Sequence, residues 1–200
     1  MILWDVDTQV DFMLHDGKLA VPGAEETMPA MQRLVAAARE AGIVHVASAD
    51  DHELTDAEIA EEPDYRTTYP PHCLRGTRGA RKIPETEQVD PVPITLEPLP
   101  PQYLRGREFL LLKKSFDVFT NANTDRLLEH LGPDEIVVFG VATDVCDDAA
   151  IRGFVARGLR VAFVEDAARG LDEGRTAACL AAWRDAGVRF TTADEVISKF

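Results

Sequence analysis

Cys146 ends the segment GVATDVC (140–146), where an apolar run hands over to a helical pattern. The first turn of a helix leaves backbone N–H groups unpaired and carries the positive end of the helix dipole. Both favour a thiolate, the reactive form of cysteine. A lysine nearby would add to that effect, and Lys113 and its neighbour Lys114 both follow the apolar run EFLLL. Asp7 follows another apolar run, MILWDV (1–6). Its carboxylate could take a thiol proton and return it to a leaving amine. A second group is built from Asp50, His52 and His72, the last fixed by two prolines in YPPHC. Carboxylate and imidazole suit Zn, Mn or Fe, and three protein ligands leave open positions, the pattern of a catalytic metal. Cys73, Cys179, His15, His45 and His130 lack such company and read as structural or surface residues.

These groups need a frame that brings them together. Apolar strand-like runs at 1–6, 43–49, 108–113, 135–142, 159–166 and 188–192 alternate with helical patterns at 26–42, 124–132, 144–157, 172–187 and 193–199. Gly42, Gly132, Gly158 and Gly187 close four of the helices. Continuous apolar strands separated by helices predict an α/β fold: a doubly wound, mostly parallel, six-stranded sheet with helices on both faces. In such a sheet ligands bind beyond the carboxyl ends of the strands. Asp5, Asp7, Gln9, Asp11, Asp50, Asp51, His52, Lys113, Thr143, Asp144, Cys146 and Asp166 all fall there. The chain reads as one domain over 1–200, with a proline-rich insertion at about 50–107 that fits no strand–helix unit and is a candidate functional loop.

Composition narrows the function classes. With 21 basic and 35 acidic residues the net charge is −14, a field that repels phosphate backbones and anionic membranes. Three cysteines make no disulfide framework. No apolar run reaches the roughly 18 residues of a membrane span, and the early acids of the N-terminus do not suit a signal peptide. A cytoplasmic protein acting on a small molecule, without nucleic acid, membrane or organic cofactor, is the expectation.

WDVDTQ also has the look of the D-x-D-x-T motif of dehalogenase-type phosphatases, with Ser48 and Lys113 available for later roles. Against it, Gln9 stands where Thr or Val belongs, and the later Gly-Asp element is missing because Val141 follows Gly140. That reading leaves Cys146, His52 and His72 without work.

Taken in order, the segments resemble the isochorismatase-like cysteine hydrolases, a group that includes nicotinamidases, N-carbamoylsarcosine amidases and isochorismatases. DVDTQVDF (5–12) is similar to the family's D-x-Q-x-D-F opening. KKSFDVFTNANTDRLLEHL (113–131) is similar to its lysine segment, GVATDVC to its nucleophile segment, and RGLRVAFVEDA (157–167) to the strand that follows. The resemblance implies Cys146 as nucleophile, Asp7 as general base and acid, and Lys113 rather than Lys114 as the lysine that stabilises the thiolate. It also implies an oxyanion hole from the N–H groups of Ala142 and Cys146, set by a cis peptide between Val141 and Ala142. PPHCLRGTRGA (70–80), with Asp50, His52 and His72 as metal ligands, resembles the nicotinamidase subgroup. There a divalent metal holds a pyridine nitrogen and orients the amide. A fourth protein ligand is implied in some members; here Glu61, Glu62 or Asp64 could serve, or water could. Gln9, Phe12 and Tyr69 are candidates for the substrate pocket, Trp4 for the core. The expected activity is hydrolysis of a small amide, nicotinamide first, by a homo-oligomer. The alternative is a metal-independent hydrolase of isochorismate or a carbamoyl amide.

Overall fold

The computed structural model describes residues 1–200, apart from the side chain of Pro101. Strand β1 (Ile2–Val6) leads through a single helical turn, α1 (Val10–Met13), to helix α2 (Met28–Glu40) and strand β2 (Val44–Asp50). Within the 50–107 insertion lies a strand, β3 (Val92–Ile94), and after it come β4 (Glu108–Lys113), α3 (Thr124–Leu131), β5 (Ile136–Val141) and α4 (Cys146–Ala156). The chain ends with β6 (Val161–Arg169), α5 (Glu173–Asp185), β7 (Arg189–Thr191) and α6 (Ala193–Ile197). All strand pairs are parallel, in the order β3-β4-β2-β1-β5-β6-β7. The sheet therefore has seven strands rather than the six expected. The extra one, β3, is three residues long and contains Pro93, so its pattern is too short to stand out and its place at the sheet edge suits a proline.

Period-2 alternation divides the apolar residues between two cores. Ile2, Trp4 and Val6 of β1 pack on one face with Leu127, Ile151, Phe154 and Trp183 from α3, α4 and α5. Leu3, Val137 and Phe139 pack on the other with Met31, Leu34 and Val35 of α2 and Val196 of α6. Trp4 meets Phe154 edge to face at 4.8 Å, as its core assignment requires. Coverage on both faces is the reason β1 and β5 are apolar throughout.

Strand β1 lies at the centre, with β2 on one side and β5 on the other. Strands β2, β4 and β3 lie on one side of β1 and β5, β6 and β7 on the other, so the crevice beyond β1 and β5 is the topological switch point where this architecture holds its ligands. The two strands approach closely: Gly140 has φ 133°, and any Cβ there would collide with the carbonyl oxygen of Val6. Only glycine fits that position.

Candidate active site and metal centre

Asp7 follows β1, Lys113 ends β4, and Cys146 opens α4 just past β5. Strand register sets Lys113 beside Asp50 on the neighbouring strand. The Lys113 side chain is fully buried, with Nζ 2.8 Å from Asp7 Oδ2, 2.5 Å from Asp50 Oδ1 and 3.8 Å from Cys146 Sγ. One ammonium thus joins the proposed nucleophile, the proposed base and the first candidate metal ligand. Asp7 has φ 48°, a left-handed conformation uncommon for a residue with a side chain, and is held by Ser48, whose hydroxyl donates to Oδ1 at 2.7 Å. Lys114 does not compete for this place; its Nζ lies 3.0 Å from Asp56.

The electrostatics differ from the simple picture of a thiol acidified by a helix start. Burial pushes the Cys146 thiol well above the usual cysteine range, and the negative charges of Asp7, Asp50 and Glu58 add to it, opposed by Lys113. Burial also raises Asp7 above the usual carboxylate range, with Asp50 adding and Lys113 and Ser48 opposing. Asp50 is well below that range: burial would raise it, but Lys113, His52 and His72 outweigh the cost. The lysine itself is held charged, well above its ordinary range, because Asp50, Asp7 and Cys146 overcome its desolvation. Burial thus favours the protonated form at both Cys146 and Asp7, against the pull of Lys113.

The Val141–Ala142 peptide is cis. The carbonyl of Ala142 accepts from the N–H groups of Val145 at 3.0 Å and Asp147 at 3.1 Å, which folds this corner tightly over the start of α4. Among the described residues, the N–H groups of Ala142 and Cys146 have no backbone partner. They are the donors expected for an oxyanion.

Asp50, His52, Glu58 and His72 are all buried and bring one ligand atom each to within 4.8 Å of one another. Asp50 Oδ2 is 3.5 Å from His72 Nε2 and 3.7 Å from His52 Nε2; His52 Nε2 is 3.9 Å from Glu58 Oε1. Asp50 Oδ2 and His52 Nε2 are buried without a hydrogen-bond partner. Orphaned lone pairs converging in a buried site fit a divalent cation, because an unpaired buried polar atom otherwise costs about 1–3 kcal/mol. Both imidazoles hold their far nitrogen outward, His52 Nδ1 on Asp56 at 3.1 Å and His72 Nδ1 on the carbonyl of Pro70 at 2.8 Å.

The fourth member is Glu58, not Glu61, Glu62 or Asp64. Glu61 and Glu62 are exposed, and Asp64 caps its own turn through the N–H groups of Arg66, Thr67 and Thr68. Glu58 has no apolar periodicity or motif around it in the sequence. It reaches the site because the insertion is stitched to itself, with Tyr69 N donating to Glu58 O at 2.8 Å and Ala60 N to Tyr69 O at 2.9 Å. Further along, His52 N donates to Cys73 O at 3.1 Å and Arg75 N to His52 O at 2.8 Å. The 52–75 part of the insertion thus wraps the cluster on its way from β2 to β3.

A narrow pocket lies between the cysteine and the cluster, walled by Phe12, Leu19, Tyr69, Val145 and Leu171, with Asp50, Glu58, His72, Ala142 and Cys146 lining it. Phe12 and Tyr69 line this pocket. Gln9 does not. Its amide is buried and spans the backbone of Asp50, donating to the carbonyl at 2.8 Å and accepting from the N–H at 2.7 Å, with a further bond to Ala80 O. It positions Asp50 and has no free donor for a substrate. Other strand-end residues also leave the site. Asp5 pairs with Thr8 and Lys82, Asp51 with Arg75, Asp144 accepts from Leu171 N and Arg175, and Asp166 caps the start of α6.

Comparison with known proteins agrees with this geometry. The isochorismatase domain model matches residues 2–195. A Mycobacterium tuberculosis nicotinamidase/pyrazinamidase is 30% identical over 187 residues, covering 92% of this chain and 94% of the relative. A probable inactive nicotinamidase of Arabidopsis thaliana is 27% identical over 143 residues, covering 70% and 65%. Among solved structures, the zinc complex of Pyrococcus horikoshii pyrazinamidase superimposes with a TM-score of 0.74 at 23% identity, covering 96% of this chain and 98% of the other. Motif order, sheet topology and these matches agree, and the chain belongs to the isochorismatase domain family.

Proposed function

We propose that this protein is a cysteine amidohydrolase that cleaves the C–N bond of a small amide, nicotinamide being the first candidate, with help from a divalent metal. The observation that carries the reading is the single buried ammonium of Lys113, which touches Asp7, Cys146 and Asp50 together. Nicotinamidase and pyrazinamidase relatives support the choice of amide. The pocket between Cys146 and the cluster is walled by Phe12 and Tyr69, whose rings offer apolar contact to an aromatic amide.

Asp7 takes the Cys146 proton, and the sulfur attacks the amide carbonyl. Its oxygen develops negative charge that the N–H groups of Ala142 and Cys146 meet; one such donor is typically worth about 3 kcal/mol in the transition state. Asp7 returns the proton to the departing nitrogen, and ammonia leaves a thioester. Water, deprotonated by Asp7, then attacks the thioester carbonyl and releases the acid and the thiol. Lys113 stays protonated, balancing the charge that passes between sulfur and carboxylate. Asp50, His52, Glu58 and His72 would hold the metal, which supplies a Lewis-acidic anchor for a substrate donor such as a ring nitrogen.

Ammonia release from nicotinamide, with and without prior chelation, tests the reading. Release lost on chelation and restored by Zn²⁺ or Mn²⁺ is expected. Release indifferent to chelation would remove the metal from the reaction and favour the metal-independent alternative. No release from nicotinamide or from any small amide offered would break the proposal. The probable inactive relative makes activity itself the first quantity to measure.

A further inference from the structure

Behind the metal cluster stands an acid–base pair that the reaction does not touch. Asp56 Oδ2 is 3.1 Å from His52 Nδ1, accepts from the backbone N–H of Glu53 at 2.8 Å, and lies 3.0 Å from Lys114 Nζ. The carboxylate is close in sequence to its imidazole, and a turn closed by Asp56 N on Glu53 O at 3.0 Å brings it round. Lys114 comes from elsewhere, at the end of β4. Both side chains are largely screened from water, at 17% and 24% exposure.

A neutral imidazole has one donor and one acceptor nitrogen, and the hydrogen bond at one decides the other. A carboxylate at Nδ1 keeps the proton there and leaves the Nε2 lone pair facing Asp50 and Glu58, where it has no partner. His72 is arranged alike but on weaker terms, since its Nδ1 meets a neutral carbonyl, that of Pro70. A charged acceptor strengthens an imidazole as a ligand more than a neutral one does. The two histidines of the cluster are therefore unequal, and the difference is Asp56.

We propose that Asp56, held in place by Lys114, is the positioning residue that fixes the ring orientation and ligand strength of His52 toward a divalent cation. Lys114 acts only through Asp56: it pins the carboxylate and offsets its charge, so that a third acid can stand behind Asp50 and Glu58. The proposal rests on the metal reading given above.

The test uses the full chain, freed of metal, titrated with Zn²⁺ against a chromogenic chelator. Asp56→Ala is expected to weaken Zn²⁺ binding about 10–100-fold, the usual effect of removing an outer partner of a histidine ligand. Asp56→Asn, which keeps the shape and loses the charge, is expected to fall between. Lys114→Met should have a smaller effect, and Asp56→Ala/Lys114→Met should bind no more weakly than Asp56→Ala alone. Nitrogen-15 NMR of the metal-free wild-type chain, which needs no variant to fold, should find the neutral His52 ring protonated at Nδ1. A ring protonated at Nε2, or Asp56→Ala binding Zn²⁺ like the wild type, would overturn the proposal and leave the metal reading standing. A wild-type chain that takes up no Zn²⁺ would overturn both.

Discussion

Two buried lysines face carboxylates on opposite terms. Lys82 meets Asp5 at 2.9 Å, and Asp5 is further bound by the Thr8 hydroxyl at 2.8 Å, with Thr86 2.5 Å from Thr8. That carboxylate has both oxygens satisfied, and it lies below the usual range: burial would raise it, but Lys82 and His45 outweigh the cost. Lys113 meets two carboxylates and a thiol, with Glu58 contributing to the same field, and beside it Asp50 Oδ2 and His52 Nε2 lack hydrogen-bond partners. The first group sets one carboxylate against one ammonium, with both carboxylate oxygens held. The second has more acid than base and atoms left over. Closed buried pairs hold a fold together, whereas buried sites with unspent lone pairs and opposed pKa shifts are arranged for an incoming proton, ion or substrate.

The contrast predicts different failures in the two regions. Cys146→Ala should reduce amide turnover at least ~10⁴-fold while thermal stability stays near wild type, because the thiol is chemistry and little of the core. Residual turnover above about 1% would mean that the sulfur is not the nucleophile. Lys82→Met should do the opposite, lowering stability by about 3–5 kcal/mol in denaturant unfolding, since Asp5 is left charged and buried without its partner. Turnover per folded molecule should be kept. If that variant instead loses activity at unchanged stability, the division between a structural and a functional lysine is wrong.

Smaller effects sharpen the boundary. Asp50→Ala should weaken metal retention about 100-fold in a chelator competition and raise the Michaelis constant, leaving the sheet intact. Ser48→Ala should lower turnover about tenfold and stability by about 1 kcal/mol, the worth of one hydrogen bond. The sign of its pH effect is fixed. Ser48 donates to the ionised form of Asp7 and so lowers its pKa. Removing that donor raises the pKa further, and the acid limb of kcat/KM should move to higher pH. A limb that moves the other way would show that another group sets it.

Much of this was legible before any coordinates. The central strands announce themselves because β1 and β5 are buried on both faces and so are apolar throughout. Asp7, Asp50, His52, Lys113 and Cys146 stand out as candidates because each sits just past or at the end of such a strand, where parallel sheets collect their functional groups. Strand β3 was not legible, being too short to carry a period. Glu58 was missed because its position depends on the fold of the insertion, and three nearby acids had equal claim by composition.

The sequence by itself therefore determined six of the seven strands, their order along the chain, and the residue types brought to the carboxyl edge of the sheet, because burial patterns and strand ends are local properties. Only the tertiary structure decided between neighbours of the same chemistry. It turned Lys113 inward to Asp7 and Cys146 and sent Lys114 to Asp56. It chose Glu58 over Glu61, Glu62 and Asp64, made Gln9 a clamp on Asp50 rather than a substrate contact, and raised the Cys146 thiol that its helix position alone would have lowered. Direction, burial and the sum of nearby charges depend on residues far apart in sequence, and they exist only once the chain has folded.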